Sequence, residues 1–236
     1  MAVPTLETLA KGNFFRREPV SIGGQLHRAL RDAVIHGELL PGQVLTEIET
    51  SKKFGISRQP VREAFIKLAE EHLLEIRPQR GTYIRKISMR EVLEAQLMRE
   101  AIEVAFVRKV TPEHDDVFAA ALNENIAQQK RLQSGDRLAL WALDEALHRT
   151  ITMKAAGEYA WRMLESIKAQ MDRVRFLTYD DMTPIPQIVA EHGELVAALI
   201  GHDVAGATRL MENHLREILK SLPTVAREYP EYFAPD

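Results

Sequence analysis

Cysteine is absent from the chain, which excludes disulfides and thiolate metal ligands and fits a reducing compartment. No apolar stretch approaches the roughly 20 residues that a bilayer-spanning helix needs. The N-terminus also lacks the charged-then-apolar pattern of an export signal, so a cytoplasmic protein without membrane attachment is expected. Beyond Arg85 no segment of useful length alternates polar and apolar residues with a strand's period, which leaves helices as the expectation for the rest. What is present is ordinary for a globular protein: 236 residues, 28% charged and 45% hydrophobic, enough for two modest domains. The net charge of −3 conceals an asymmetry, with 15 Lys and Arg against 10 Asp and Glu in residues 1–90, and 16 against 24 thereafter. A basic front and an acidic back suit attraction to DNA by one domain only.

The most informative stretch is Ser57-Arg58-Gln59-Pro60-Val61-Arg62-Glu63-Ala64-Phe65. Ser57 suits a helix N-cap, Pro60 is tolerated in a first turn, and Arg58 and Arg62 share one face. Two forked cations near a helix N-terminus suit guanine edges and phosphate oxygens. Upstream, Thr46 and Glu49 fit a capping box that opens a short helix ending near Phe54, and Gly55-Ile56 supplies a tight turn. Helix, turn and helix with arginines at the second N-terminus predicts a helix-turn-helix. Arginines four apart are most often only a solvated face, but the chain after this helix reads as a hairpin. Leu73–Arg77 and Thr82–Arg85 form its strands around a Pro78-Gln79-Arg80-Gly81 turn, as in the wing of a winged helix, with Arg80 at its tip within reach of a minor groove or phosphate.

Over residues 22–86 the chain resembles the N-terminal domain of GntR-family transcription regulators. The residues that carry the resemblance are His36-Gly37-Glu38-Leu39, Pro41-Gly42 with Leu45 and Glu47, Gly55-Ile56-Ser57-Arg58 with Pro60-Val61-Arg62-Glu63-Ala64, Leu68, and Arg80-Gly81-Thr82. The resemblance implies a homodimer that reads a palindromic site in double-stranded DNA. By motif position it assigns DNA contact to Ser57, Arg58, Gln59, Arg62, Arg80 and Gly81. Thr50-Ser51 stands where the family usually has a Leu-Ala pair, a departure expected to loosen local packing.

The second domain is predicted as an antiparallel helical bundle. Ser88–Glu91 is a capping box for a helix to about Arg108, and Thr111-Pro112 reads as the start of a helix to about Gln133. Further helices are expected to about Lys154, from Gly157 to about Leu177, to about Ile200, and to about Leu222, with a loop at 180–186. The fold class is thus mainly α, with a winged helix-turn-helix at 21–87 and an all-α bundle at 88–222. Tails are expected at 1–20 and 223–236.

Within the bundle, Asp144 and His148 are spaced to share a face of the third helix, while His192 and His214 fall on the last two helices. One carboxylate and three imidazoles suit a borderline divalent ion such as Zn²⁺, with Ni²⁺ or Mn²⁺ as alternatives. Taken singly, a helical histidine is more often exposed or hydrogen-bonded in a core. Residues 92–222, however, resemble the FCD domain, the effector domain of the FadR branch of the same family, through Arg99 with Glu103, Asp144-x-x-x-His148, Glu191-His192, Gly201-x-Asp203, and Ala207-x-x-x-Met211-x-x-His214. That resemblance implies a divalent metal on Asp144, His148, His192 and His214, and a small organic-acid or sugar-acid effector gripped by Arg99. Arg173 and Arg175 are candidates for the same pocket that spacing alone does not decide. The expected function is a metabolite-responsive transcription regulator, a repressor more than an activator. The alternatives are an architectural DNA-binding dimer without effector and a metal-dependent hydrolase.

Overall fold

The computed structural model describes residues 20–178 and 182–235. Most of the expected N-terminal tail, and Asp180 and Asp181 of the expected loop, lie outside the described residues. The chain divides into two compact units, one of residues up to Glu91 joined by those from Glu228 onward, the other Val92–Arg227.

In the first unit, α1 (Ile22–Ile35) begins at Ser21, whose Oγ accepts from the Gly24 N–H at 3.1 Å. It packs against α3 (Arg58–Glu70) with α2 (Glu47–Phe54) alongside. Leu26, Leu30, Val34, Val61, Phe65 and Leu68 are buried between them, at helical spacing on each side. Thr46 caps α2 by accepting from the Glu49 N–H at 3.1 Å, and Gly55 ends it at φ 66°, a left-handed conformation that costs glycine nothing. Ser57 precedes α3 in extended conformation but makes no side-chain capping bond, contrary to its expected role.

The wing is β2 (Leu74–Arg77) paired antiparallel with β3 (Gly81–Ile84), Leu74 opposite Ile84 and Arg77 opposite Gly81. β2 begins one residue later than expected and β3 both begins and ends one residue earlier; Gln79 at φ 61° and Gly81 at φ 107° close the turn early enough for Gly81 to pair. A third strand, β1 (Val44–Leu45), lies on the other side of β3, giving the order β1-β3-β2. Two residues are too few for a period of two to be read.

The second unit contains α4 from residue 92 on (Met89–Val110), α5 (Asp116–Gln129), α6 (Arg137–Ala155), α7 (Glu158–Thr178), α8 (Ile185–Ile200) and most of α9 (Val204–Glu228). Val107, Phe118, Leu122, Leu147, Leu195, Leu199 and Met211 belong to one core drawn from five of these helices. Thr111 does not cap α5; its hydroxyl donates to the Val107 carbonyl at 2.6 Å, inside the end of α4. The cap is Asp115, which accepts from the Phe118 N–H at 2.8 Å. Helix α9 runs through Pro223 and six residues past its expected end, so the segment expected to be a tail at 223–236 begins helical. Ile218, Leu222 and Val225 continue its buried stripe, and that burial outweighs the roughly 3 kcal/mol that an interior proline costs.

After α9 the chain rejoins the first unit. The Ile87 N–H donates to the Tyr232 carbonyl and the Ala234 N–H to the Ile87 carbonyl, each at 2.8 Å, around a parallel bridge between Ile87 and Phe233. Both of those side chains are buried.

Candidate functional sites

On the winged unit, Ser57, Arg58, Gln59 and Arg62 are exposed at the start of α3, whose opposite side carries the buried Val61, Ala64 and Phe65. Gln59 Nε2 donates to Glu63 Oε1 at 3.0 Å. Arg80 is exposed at the wing tip and Gly81 follows it half-buried. Among the described residues Arg58, Arg62 and the Arg80 guanidinium have no side-chain partner, which leaves three cationic heads in water. The wing is braced from within. The Tyr83 hydroxyl donates to the Arg80 carbonyl at 2.8 Å, and the Arg77 guanidinium lies 4.6 Å from the centre of the Tyr83 ring. Nothing in the sequence pattern singled out Tyr83; its role depends on the turn that brings it back over residue 80.

In the helical unit, three helices bring Asp144, His148, His192 and His214 together, with one donor atom from each within 4.8 Å of all the others. Asp144 and His148 sit one turn apart on α6, His192 comes from α8 and His214 from α9. Asp144 Oδ1 is 3.3 Å from His192 Nε2 and 3.9 Å from His148 Nε2, while His148 Nε2 and His214 Nε2 are 3.2 Å apart. His27, His36, His72, His114 and His202 lie outside this group.

Neighbouring residues decide which imidazole nitrogens face inward. Glu103 Oε2 accepts from His148 Nδ1, and its other oxygen accepts from Arg99 Nε. Gln129 Oε1 accepts from His192 Nδ1 at 2.8 Å. Gln129 is itself oriented by donating to Asn125 Oδ1 at 2.7 Å, and Asn125 donates to the Leu143 carbonyl at 2.9 Å. With their protons on Nδ1, His148 and His192 both turn Nε2 lone pairs toward the centre, as metal ligation requires. His214 Nδ1 faces Glu191 Oε2 at 3.7 Å, outside hydrogen-bond reach.

The electrostatics agree with that geometry. Burial opposes ionisation of Asp144, but the Arg175 charge beside it holds its carboxyl well below the usual range. Glu103 is held far down in the same way by Arg99 and His148. Burial pushes the His192 imidazole down and His214 to about 3, so both are neutral at pH 7. Asp144 Oδ2 and His192 Nε2 are buried without a hydrogen-bond partner. Unpartnered buried donor atoms, an ionised carboxylate and neutral imidazoles form a set that fits a divalent ion.

A pocket adjoins this group, lined among others by His214, Arg99 and Arg175. Arg99 is 1% exposed, and with Nε on Glu103 its Nη2 has no hydrogen-bond partner. Arg175 donates to Asp144 Oδ1 at 2.6 Å, which joins the cavity to the four-residue group. Arg173 is not among the residues lining this cavity; it donates to Gln170 Oε1 at 3.1 Å. Two residues along a helix turn a side chain by about 200°, so these two arginines face opposite sides, and the sequence does not say which side meets the cavity.

Comparison with known proteins assigns both units. Residues 23–84 match the family described as bacterial regulatory proteins, gntR family, and residues 89–217 match the FCD domain. The HTH-type transcriptional repressor RspR of Escherichia coli K12 is 37% identical over 217 residues, covering 90% of this chain and 94% of that protein. An HTH-type transcriptional regulator from an unstable DNA locus of Streptomyces ambofaciens is 31% identical over 211 residues, 89% of each chain. Among solved structures, Escherichia coli McbR/YncC superposes with a TM-score of 0.75 at 20% identity, covering 89% of this chain and 99% of that one. The last of these speaks to fold alone.

Proposed function

The chain belongs to the gntR family of bacterial regulatory proteins and carries an FCD domain after its winged helix-turn-helix, and from that premise we propose that it is a repressor whose hold on DNA is set by a small organic or sugar acid bound beside a divalent metal ion. The family and the relatives are transcription regulators, not enzymes. The observation that carries the proposal is the convergence of four donor atoms within 4.8 Å of one another, next to a cavity that Arg99 lines.

Asp144, His148, His192 and His214 would hold the ion, Zn²⁺ suiting them best and Ni²⁺ or Mn²⁺ being alternatives. When bound, such an ion supplies positive charge that attracts a carboxylate. Glu103 and Gln129 keep the two imidazoles in the ligating tautomer, and Arg99 offers its unpartnered Nη2 to the acid. At the other unit, Ser57, Arg58, Gln59 and Arg62 would meet base edges and phosphates in a major groove, with Arg80 and Gly81 of the wing on the neighbouring backbone or minor groove. A homodimer would place two such helices on the halves of a palindrome. An acid that favours the DNA-free form weakens DNA binding by its differential affinity for the two forms.

The test uses gel-shift titration on DNA that the full-length protein selects from a random pool. Arg62→Ala is expected to lose at least about tenfold in affinity, as removal of a base-reading arginine does, while acid binding is unchanged. Elemental analysis of purified His148→Ala is expected to show no bound metal. Unchanged operator affinity in the first variant, or full metal content in the second, would refute the corresponding half.

A further inference from the structure

The chain passes between the two units twice, after Glu91 within α4 and after Arg227 near the end of α9. Inside the helical unit these two helices lie antiparallel. Arg216 Nε donates to Glu100 Oε2 at 2.9 Å, and farther along Arg108 Nε donates to Thr208 Oγ1 at 3.4 Å. Each helix serves the ligand set, α9 through His214 and α4 through Glu103 behind His148. In the winged unit the same two segments of chain are fastened again, Ile87 to residues 232–234. The Tyr232 hydroxyl also lies beside Gly37, where an added Cβ would sit 3.6 Å from it, in the turn that ends α1. The last residues therefore hold both the connector and α1, and α1 packs on α3 with its exposed Arg58 and Arg62.

The ligand set is not equally braced. Glu103 fixes His148 and Gln129 fixes His192, whereas His214 Nδ1 is buried without a hydrogen-bond partner among the described residues. Ligation therefore restrains α9 more than α6 or α8. From His214 to Glu228 α9 runs about 21 Å at 1.5 Å per residue, and the fastened segment follows directly. Resting on the metal-site reading above, we propose that residues 229–235 are a regulatory strap. His214, once held by an ion, fixes α9, and α9 then keeps the strap closed on Ile87 and Gly37. A closed strap preorganises the connector and α1, and so the helix that meets DNA.

Amide hydrogen exchange of the full-length protein, with and without Zn²⁺, reads the strap directly. Zn²⁺ is expected to slow exchange at Ile87 and Ala234 and to tighten binding to the pool-selected DNA, each at least about fivefold, the lower end of usual coupling between sites. A Gly-Ser-Gly-Ser insertion between Glu228 and Tyr229 keeps every residue of the ligand set, the strap and α3, and breaks only the rigid connection. It is expected to bind Zn²⁺ as wild type does and to gain protection in the helical unit. Its responses at Ile87 and in DNA affinity should both fall below about twofold. Equal Zn²⁺ responses in wild type and insertion variant would overturn the inference and leave the metal site standing. Exchange at Ile87 indifferent to Zn²⁺ in the wild type would do the same, and needs no variant. Absence of Zn²⁺ binding by the wild type would overturn both.

Discussion

Glu103 holds His148 in place: a carboxylate oxygen on α4 accepts from the imidazole Nδ1 on α6, with both side chains almost fully buried. Because the same carboxylate also accepts from Arg99, one residue connects the ligand set to the cavity that the acid would enter.

Replacing Glu103 by Gln keeps the shape but removes the charge that fixes the proton on Nδ1. Metal affinity is expected to fall by about 10- to 100-fold, the usual cost of losing a carboxylate behind a ligating histidine. Competition against a chromophoric chelator measures this. An unchanged affinity would mean that His148 is oriented by its packing alone.

Thr50 is fully buried in α2, and its hydroxyl has no hydrogen-bond partner among the described residues. This is the position where the sequence departs from the apolar pair usual in the family. Thr50→Val removes the orphaned hydroxyl at nearly constant shape and is expected to stabilise the winged unit by about 1 kcal/mol. Urea unfolding monitored on that unit should show a higher midpoint at unchanged slope.

Glu71, just after α3, accepts from His27 Nε2 at 2.6 Å and from Arg31 Nε at 3.0 Å, tying α3 to α1. Burial raises its carboxyl, but the His27 hydrogen bond and the His27 and Arg31 charges outweigh that and hold it below the ordinary 4.5. A depressed carboxyl stabilises the fold above its unfolded value, and that contribution disappears as the pH falls through the folded value. Glu71→Gln is therefore expected to destabilise by about 1–3 kcal/mol at neutral pH. The difference from wild type should hold down to the ordinary carboxyl range and shrink only at more acid pH. A difference that does not vary with pH would point to lost packing instead.

Removing the residues after Glu228 deprives Ile87 of the Tyr232 carbonyl and the Ala234 N–H, and uncovers the Ile87 side chain. Faster hydrogen exchange at the Ile87 amide is expected, together with lower stability of the winged unit. Phe233→Ala should reproduce much of this, since truncating a buried phenylalanine costs about 3–5 kcal/mol. Protection at Ile87 that survives truncation would show that the connector is held by other contacts.

Local order in the chain was sufficient for much of this. The capping threonine at 46, the glycine at 55, the paired arginines at 58 and 62 and the turn at 78–81 act over a few residues, and the backbone answers to them directly. The spacing of Asp144 and His148 likewise follows from helix geometry. Local signals misled where two of them competed. Thr111-Pro112 looks like a helix start, but the Thr111 hydroxyl satisfies a carbonyl of the preceding helix and Asp115 takes the cap. Pro223 looks like a helix end, but an apolar stripe continues beyond it.

From the order of residues alone, most of the helices, the wing hairpin and the chemical types of the candidate site residues were legible, because these depend on periodicity and on side chains close together in the chain. Only the tertiary structure decided that Glu103 backs His148, that Gln129 backs His192, that Arg175 rather than Arg173 reaches Asp144, and that the chain's last residues close on Ile87. Each of those contacts joins positions far apart in sequence through the packing of separate helices or segments, and no local propensity encodes the distance between them.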